Sequence, residues 1–349
     1  MKNQSYTTQN TFNQVNIKKN ISNKKNIIVI VAESLEHGYA KADLFPQPLL
    51  PMLTSLSGSS FSNFQSIAGT DNTISAVLAM TCAIPFTPLL PSQARNMNKY
   101  TFPSAVCLSD ILKENGYDIS FYFADTETFS NKVDLLRQHS VSNIFSAEQL
   151  RQNKEDTGLK SFRAIKDSRL FESVLQHLAS RKESSPFFIS LFTINTHEPK
   201  GYLEKTCQRK SKKTFENIVF CTDKQVYDFV NKIKKMPFYK DTRIIVIGDH
   251  FARKNPLTSV LETDKNRSVF NLFINAPEPP TTKRTFTTLD LAPSILDLAG
   301  FEMKHGFGLG RSLFREEPTL IEKLGQKKLE NELKKFSSFY KSLLKEKKD

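Results

Sequence analysis

The sequence predicts an α/β fold in which a mostly parallel central sheet carries helices on both faces. Apolar runs of strand length recur along the chain, and helical stretches lie between several of them. That alternation is typical of parallel strands joined by helical crossovers. The 349 residues contain no internal repeat and no low-complexity linker, so we expect one large domain.

The individual elements follow from these apolar runs and from the helical periodicity between them. The candidate strands are Ile27 to Ala32, Ile119 to Ala124, Phe187 to Ile194, Ile244 to Gly248 and Val269 to Ile274. The candidate helices are Thr73 to Met80, Leu108 to Asn115, Ser168 to Arg181, Asp223 to Lys235 and Leu289 to Ala299.

Polar residues directly after the strands are the first candidates for a functional site, because ligands of open α/β sheets gather beyond the carboxyl ends of the strands. Glu33 follows the first strand, and His197 lies shortly after the third. Asp249 and His250 directly follow the fourth. Each residue alone could be a capping or salt-bridging side chain. Because an isolated buried charge is expensive, all four together favour a shared metal ion.

A further candidate is the segment 69–76, which places hydroxyl groups at the expected start of the first helix. Free backbone N–H groups and the helix dipole at such a position favour a bound phosphate. Thr70 or Thr73 could instead cap the helix, which is the commoner use of threonine there. Local sequence alone favours the cap.

Composition and charge narrow the classes of partner. The chain carries 49 Lys and Arg against 36 Asp and Glu, a net charge of +13. This favours phosphate esters, anionic lipid headgroups or nucleic acid as partners. Nucleic acid is disfavoured, because the sequence has no zinc-finger spacing, no aromatic RNA-binding signature and no basic stripe interleaved with aromatic residues.

The cysteines and the N-terminal residues do not by themselves identify the cellular compartment. The four cysteines form no CxxC pair, which argues against a cysteine-rich zinc site: Cys82, Cys107, Cys207 and Cys221. From composition alone, buried free thiols and two local disulfides are both compatible with the sequence. Residues 1–25 form a polar leader without the apolar run of a signal peptide, and no stretch of the sequence is apolar enough to span a membrane.

Seven short segments, in order, resemble those of one enzyme family. They are Ala32-Glu33-Ser34-Leu35-Glu36, Gly69-Thr70-Asp71-Asn72-Thr73-Ile74, Cys82-Ala83-Ile84-Pro85, Cys107-Leu108-Ser109-Asp110-Ile111-Leu112, Asn195-Thr196-His197-Glu198-Pro199, Gly248-Asp249-His250-Phe251-Ala252 and Gly308-Leu309-Gly310-Arg311-Ser312. The chain resembles, from about Asn26 to Phe314, the phosphoglycerol transferases that decorate osmoregulated periplasmic glucans. Lipoteichoic acid synthases are more distant relatives, and all belong to the alkaline phosphatase and sulfatase superfamily.

The resemblance implies a site for one divalent metal ion built from Glu33, Thr73, Asp249 and His250. Mn²⁺ is the first choice, with Mg²⁺ or Zn²⁺ as alternatives, since carboxylate oxygens and one imidazole suit all three. It also implies that Thr73 is the nucleophile, activated by the metal. In such relatives the threonine attacks phosphatidylglycerol, releases diacylglycerol and holds a phosphoglyceryl ester until an acceptor glycan hydroxyl displaces it.

The same resemblance implies a substrate site around His197, Asn131 and Lys132. His197 could donate a hydrogen bond to the phosphate or protonate the leaving alcohol. Lys132, in the segment 129–132, could hold the phosphate as a point charge. Both residues could instead have solvated surface roles. Lipoteichoic acid synthases carry an aromatic residue and an arginine where this chain has Ser130 and Lys132, so recognition of the glycerol is expected to differ.

The resemblance further implies a periplasmic or other extracytoplasmic, membrane-associated enzyme. Disulfides would persist in that oxidising compartment, and the matching positions pair Cys82 with Cys107 and Cys207 with Cys221. Relatives are usually anchored by N-terminal membrane spans, whereas this chain begins with the polar leader. Either the domain was excised from a longer protein or it is a soluble variant.

Beyond the catalytic domain, predicted at 26–315, residues 316–349 are expected to form a basic amphipathic helix. One face carries Leu329, Leu333, Phe336 and Tyr340, and lysines surround it. This stripe could pack on the protein's own core, or it could attach the enzyme to an anionic membrane surface.

Four other functions can be considered from the sequence, and two of them are disfavoured. A phosphoethanolamine transferase, or a phosphodiesterase that uses water as acceptor, would need the same metal ligands and threonine. A sulfatase is disfavoured, because segment 69–76 lacks the cysteine that sulfatases convert to formylglycine. A glycan- or lipid-binding module with a degenerate site is disfavoured, because all four expected ligands are present.

Overall fold

The core of the computed structural model is a six-stranded, mostly parallel sheet. The structure describes residues 23–86, 101–129, 131–182, 185–335 and 337–345. The strands are β1 (Asn26–Ala32), β2 (Asn63–Phe64), β3 (Asp118–Phe123), β4 (Asn143–Phe145), β5 (Phe187–Phe192), β6 (Thr242–Gly248), β7 (Asn271–Ile274) and β8 (Thr285–Phe286). The main sheet has the order β4-β3-β5-β1-β6-β7, and only the β6–β7 pairing is antiparallel. Strands β2 and β8 form a separate parallel pair.

Helices cover both faces of this sheet. They are α1 (Thr73–Cys82), α2 (Leu108–Glu114), α3 (Lys132–Gln138), α4 (Ala147–Leu150), α5 (Asp167–Ser180), α6 (Thr214–Lys234), α7 (Thr258–Leu261), α8 (Leu291–Leu298), α9 (Leu320–Leu324), α10 (Gln326–Leu333) and α11 (Ser338–Ser342). Short 3₁₀ turns lie at His37–Ala40, Leu53–Ser55, Lys154–Asp156, Lys160–Phe162, Tyr239–Asp241 and Thr288–Asp290.

Strand β1 shows how the two cores arise. Ile27, Val29 and Val31 pack on one face with α1, α2 and α8. Ile28 and Ile30 pack on the other face with α5 and α6. Successive side chains of a strand point to opposite faces, so a strand that is apolar throughout needs cover on both sides. The α/β class predicted from the sequence is therefore confirmed.

All five predicted strands and all five predicted helices are present, with shifted ends. Helix α6 begins at Thr214 instead of Asp223, because apolar residues such as Phe215 and Ile218 continue its buried face toward the N-terminus. The short strands β2, β4 and β8 and the helices α3, α4 and α7 were not predicted. Elements of two to seven residues contain too few positions for a period to be recognised.

The predicted single helix over residues 316–349 is wrong. The described part forms three short helices, α9 to α11, and the first two are separated by Gly325 with a positive φ of 74°. Leu329, Leu333 and Tyr340 are at most 3% exposed, and the Tyr340 hydroxyl donates to the Pro85 carbonyl oxygen at 2.7 Å. The stripe therefore packs on the protein's own core and is not available to a membrane; Phe336 lies outside the described residues.

Two disulfides staple the fold, and their pairing agrees with the predicted one. Cys82 at the end of α1 is bonded to Cys107 before α2, and Cys207 is bonded to Cys221 in α6. Of the predicted leader, residues 1–22 lie outside the described part of the chain. Lys25 already belongs to the domain, since its backbone N–H donates to the Ala299 carbonyl oxygen and its ammonium pairs with Asp241. No helix in the described ranges is both long and apolar enough to cross a bilayer.

Candidate metal centre and nucleophile

The topology of the sheet brings the predicted site residues together. Strands β3, β5, β1 and β6 are adjacent and parallel, so their carboxyl ends lie side by side at one edge. Asp125 follows β3, the segment 193–197 follows β5, Glu33 follows β1, and Asp249 with His250 follows β6. This is the edge at which open α/β sheets bind ligands.

Glu33 is fixed by its neighbours from both the backbone and the side chain. Its N–H donates to the Thr193 hydroxyl at 3.1 Å, and its carbonyl oxygen accepts from the Thr196 hydroxyl at 2.6 Å. The Ser34 hydroxyl donates to Oε1 of the Glu33 side chain at 2.8 Å. Ser34 itself has a φ of 52°, a costly conformation for a residue other than glycine. The turn after β1 thus holds the Glu33 carboxylate in one place.

The two carboxylate oxygens of Asp249 have different partners, one in the backbone and one among the site side chains. Oδ1 accepts from the N–H groups of Ser34 at 2.9 Å and His250 at 3.0 Å. Oδ2 faces inward, 3.2 Å from the Thr73 hydroxyl and 3.2 Å from Nε2 of His250. The side chain therefore cannot rotate without breaking two backbone hydrogen bonds.

The His250 imidazole is oriented by the backbone at its other nitrogen. Nδ1 lies 2.9 Å from the Phe251 carbonyl oxygen, which fixes the tautomer with the proton on Nδ1. Nε2 then carries a lone pair directed at the carboxylates, with Glu33 Oε1 3.6 Å away. Among the residues that the structure describes, none forms a hydrogen bond with this buried nitrogen. A lone pair facing two carboxylates fits a cation between them.

Thr73 is the first residue of α1 and does not cap the helix. The cap is Asn72, whose side chain accepts from the Ser75 N–H at 3.2 Å, while the Ser75 hydroxyl pairs with the Asn72 N–H. The Thr70 hydroxyl is also occupied, because it donates to the Ile67 carbonyl oxygen. The half-buried Thr73 hydroxyl is left facing the site, 3.2 Å from Asp249 and 3.4 Å from Glu33 Oε2.

The residues present fit one divalent cation. Ligand atoms of Glu33, Asp249 and His250 all lie within 4.8 Å of one another, and all three residues are buried. Burial and the Asp249 charge raise the pKa of Glu33 to about 7. Burial alone would lower the pKa of His250, but the two carboxylates raise it. Such uncompensated charge is the electrostatic pattern of a metal site, where a cation restores the ordinary ionisation of its ligands.

Residues outside the ligand set hold the two ligand loops against each other. Arg267 makes a bidentate pair with the buried Glu36 at 2.8 and 2.9 Å, and Glu36 also accepts from the Ala252 N–H at 2.8 Å. At Gly248 a Cβ atom would lie 2.2 Å from the Leu35 carbonyl oxygen. Only glycine therefore lets the loop after β1 cross the end of β6.

His197 lies at the rim of this centre. Its Nδ1 is 2.7 Å from the Glu198 carbonyl oxygen, and its ring packs on Phe162 with centroids 4.3 Å apart. The ring is partly exposed, so its second nitrogen can meet a ligand.

Lys132 is buried, unlike a lysine that binds phosphate at the protein surface. Its side chain is fully buried, and its ammonium donates to Asp125 Oδ2 at 2.9 Å and to the carbonyl oxygens of Phe129 and Thr126 at 2.9 and 3.3 Å. All three ammonium protons thus have protein acceptors, and a direct phosphate contact would have to replace one of them. Neighbouring Asn131 has a φ of 55° and no side-chain hydrogen bond to the start of α3. Ser130 lies outside the described residues.

Comparison with known protein families assigns the chain to one of them. The family model described as Sulfatase matches residues 25–301. The chain belongs to the sulfatase family. Within this family domain, the residue at position 73 is a threonine.

This sulfatase-family chain is similar to phosphoglycerol transferase I from Salmonella choleraesuis, at 33% identity over 84% of the chain. It spans 40% of the length of that relative. Among solved structures, a Vibrio parahaemolyticus protein of the alkaline phosphatase superfamily aligns with a TM-score of 0.70 at 23% identity, covering 89% of this chain and 74% of that one. The lipoteichoic acid synthase LtaP from Listeria monocytogenes aligns with a TM-score of 0.68 at 16% identity, covering 86% and 79%.

Sequence reasoning missed several residues that build the site of this sulfatase-family domain. Asp125 and Arg267 carry charges that contact the site loops, yet neither stands in a segment that a strand-end pattern singled out. Asp125 could have been found, because it follows a candidate strand by one residue. Arg267 could not, since its partner Glu36 is 231 positions away in sequence.

Proposed function

We propose that this domain transfers glycerol phosphate from phosphatidylglycerol to a glycan hydroxyl, with Thr73 as nucleophile and one divalent cation as cofactor. The catalytic unit would be residues 26–315. The observation that carries the proposal is the position of the Thr73 hydroxyl, within 3.4 Å of two carboxylates that face an imidazole lone pair.

The cation would be held by Glu33, Asp249 and His250 together with the Thr73 oxygen. When bound, it would lower the pKa of the threonine hydroxyl and draw negative charge from the phosphoryl oxygens. Mn²⁺ is the first candidate, with Mg²⁺ or Zn²⁺ as alternatives, because all three accept carboxylate and imidazole ligands.

The chemistry consists of two displacements at phosphorus. First, the Thr73 hydroxyl releases its proton to water, its oxygen bonds to phosphorus and the bond to the diacylglycerol oxygen breaks, with His197 giving that oxygen a proton. Second, the glycan hydroxyl bonds to phosphorus and the bond to Thr73 breaks. Over both steps Thr73 regains the proton it lost, and the acceptor's proton replaces the one that His197 gave.

Substrate positioning involves His197 directly and Lys132 through Asp125. The Lys132 ammonium fixes one oxygen of Asp125, while the other oxygen, Oδ1, is buried without a hydrogen-bond partner in the described residues. Asn131 adjoins Lys132 in this loop and offers an amide to the phosphate or glycerol. The α1 N-terminus adds backbone N–H groups and a positive dipole end.

The relatives and the disulfides support the proposed donor and compartment. The similar Salmonella protein is named a phosphoglycerol transferase, and LtaP is a lipoteichoic acid synthase. Two disulfides favour an oxidising, periplasmic or extracytoplasmic location. The threonine at position 73 favours phosphoryl transfer over sulfate ester hydrolysis, because no cysteine stands in segment 69–76.

Lipid turnover by the purified protein tests the proposal. Vesicles with labelled phosphatidylglycerol and Mn²⁺ should release labelled diacylglycerol, and a glycan acceptor should raise the rate. The Thr73→Ala variant should be inactive, whereas Thr70→Ala removes a hydroxyl from the same turn and should remain active. Faster turnover of phosphatidylethanolamine would assign the ethanolamine transferase instead, and full activity of Thr73→Ala would exclude the threonine mechanism.

A further inference from the structure

We propose that a basic rim beside the site docks the domain on an anionic lipid bilayer. The rim consists of six exposed residues: Lys200, Lys205, Arg209, Lys210, Lys212 and Lys213. The choice of phosphatidylglycerol as the lipid rests on the proposed function, whereas the docking itself does not require catalysis.

The rim lies at the same edge of the sheet as Thr73. Strand β5 ends at Phe192 at that edge, and the next helix, α6, begins at Thr214 and runs back toward the start of β6. The segment 193–213 therefore starts and ends at the carboxyl ends of the strands. The start of the rim also contacts the His197 turn, because the Gly201 N–H donates to the His197 carbonyl oxygen at 2.9 Å and the Tyr202 N–H donates to that of Asn195 at 2.7 Å.

The backbone of the rim is held in place by contacts with α6. The Cys207–Cys221 disulfide ties it to α6. The fully buried Asn217 of α6 accepts from the N–H groups of Lys210 and Ser211 at 2.6 and 2.8 Å, and its amide donates to the Ser211 carbonyl oxygen at 2.7 Å. Because the backbone is already fixed, binding a surface costs little ordering entropy.

Most of these charges have no ion-pair partner among the residues that the structure describes. Lys213 pairs with Glu216 at 3.1 Å, and the Lys210 ammonium lies 5.3 Å from the centre of the Phe220 ring. In the described part of the chain the other four rim residues form no ion pair. The one acidic residue among positions 199–213, Glu204, is 2% exposed and accepts from the Ser168 N–H and the Asn195 amide. The rim thus presents an uncompensated positive field.

The arrangement of these positive charges fits an anionic bilayer better than it fits a single anionic ligand. The six charges are exposed and spread over the segment 200–213, and a flat anionic surface can meet charges distributed in this way. Each Lys or Arg near an anionic leaflet raises the partition constant by about fivefold. A flat array of headgroups can contact several at once, and it would set the Thr73 edge against the lipid donor.

Vesicle sedimentation tests the docking with the full chain. Vesicles of phosphatidylcholine with a third of phosphatidylglycerol should bind the protein at 0.1 M salt, and pure phosphatidylcholine vesicles should not. The triple variant Lys205→Gln, Arg209→Gln, Lys212→Gln should bind about 100-fold more weakly. It spares Lys200 beside His197 and the two residues with protein contacts. The matched control Lys327→Gln, Lys328→Gln, Lys334→Gln removes equal charge from the C-terminal region and should bind like wild type.

Two further measurements separate docking from folding and from catalysis. The triple variant should keep the wild-type thermal midpoint and its turnover of a soluble short-chain phosphatidylglycerol. The Thr73→Ala variant should bind vesicles like wild type, so a failure of the catalytic proposal leaves this result intact. Equal binding by the triple variant and wild type would overturn the docking proposal. So would binding to an anionic glycan, but not to vesicles, through the same three residues.

Discussion

One carboxylate oxygen of Asp249 faces both the Thr73 hydroxyl and Nε2 of His250, at 3.2 Å from each. The other oxygen is held by two backbone N–H groups. The residue that follows β6 thus joins the Thr73 hydroxyl at the start of α1 to the imidazole, although 176 positions separate Thr73 from Asp249.

The first prediction is that Asp249→Ala binds the divalent ion more than about 100-fold more weakly than wild type. Loss of an outer partner of a metal ligand costs about 10- to 100-fold in affinity, and loss of the ligand itself should cost more. Calorimetric titration with Mn²⁺ measures the affinity of the wild type and of the variant. Asp228→Ala removes an exposed carboxylate from α6 and should leave the affinity unchanged. Equal Mn²⁺ affinity in the Asp249 variant would remove this residue from the site.

The strand-end rule and the family segments singled out the candidate ligands because both depend on short stretches of chain. Glu33, Asp249 and His250 directly follow apolar strands, and the parallel sheet brings those ends together. The burial of Lys132 was not predictable in this way. It depends on Asp125, Phe129 and Thr126 enclosing the ammonium, and a lysine beside a loop is usually solvated.

The C-terminal stripe shows a second limit of the sequence. A helical pattern of Leu329, Leu333 and Tyr340 specifies an apolar face but not what covers it. In the structure that cover is the protein itself: Ile67, Ala79 and Leu289 lie in the cluster that contains Leu329. Glycine commonly ends helices, so the break at Gly325 could have been predicted from the sequence. Gly325 lies before the apolar stripe, outside the pattern from which the helix was predicted.

The second prediction concerns the buried pair of Lys132 and Asp125. Lys132→Met should lower the free energy of unfolding by about 3–5 kcal/mol, because it leaves a buried carboxylate without its cation. The double variant Asp125→Asn, Lys132→Met should recover part of that loss. Urea denaturation provides the values. Lys224→Met breaks an exposed pair with Asp228 and should cost under about 1 kcal/mol.

Steady-state kinetics of the same variants would distinguish positioning from phosphate binding. If Lys132 acts through Asp125, the double variant should resemble the Asp125→Asn single variant in both kcat and KM. A stable Lys132→Met protein with a raised KM and unchanged kcat would instead indicate direct contact with the donor phosphate.

The third prediction is a pH dependence of stability caused by Asp290. Burial raises the pKa of this carboxyl to about 6 from 3.8. Between these two values the folded state binds more protons than the unfolded state, so stability is fully present below pH 3.8 and falls as the pH rises to 6. The loss should approach about 3 kcal/mol. Denaturation of wild type and Asp290→Asn between pH 3.5 and about 7 compares the two slopes.

The Asp290→Asn variant should lack this pH-dependent loss of stability. It should also be less stable overall, since Asp290 accepts from the N–H groups of Thr287 and Arg311. Asp134→Asn changes an exposed carboxyl of α3 and should keep the wild-type slope. Identical slopes for wild type and Asp290→Asn would show that the carboxyl does not titrate as the buried environment requires.

The last prediction is a covalent phosphoglyceryl ester on Thr73. With phosphatidylglycerol and Mn²⁺ but no glycan, the second displacement has only water as acceptor, so the ester should accumulate where water is poorly oriented. Intact-protein mass spectrometry should show added glycerol phosphate, and fragmentation should place it on the peptide that carries Thr73. Thr73→Ala should lose adduct and turnover but keep its fold, because the half-buried hydroxyl neither caps α1 nor fills the core. Thr70→Ala should still form the adduct, since that hydroxyl already donates to the Ile67 carbonyl oxygen. An adduct on Thr70 would move the nucleophile by one turn, and rapid turnover with no adduct on either residue would favour direct transfer to the acceptor.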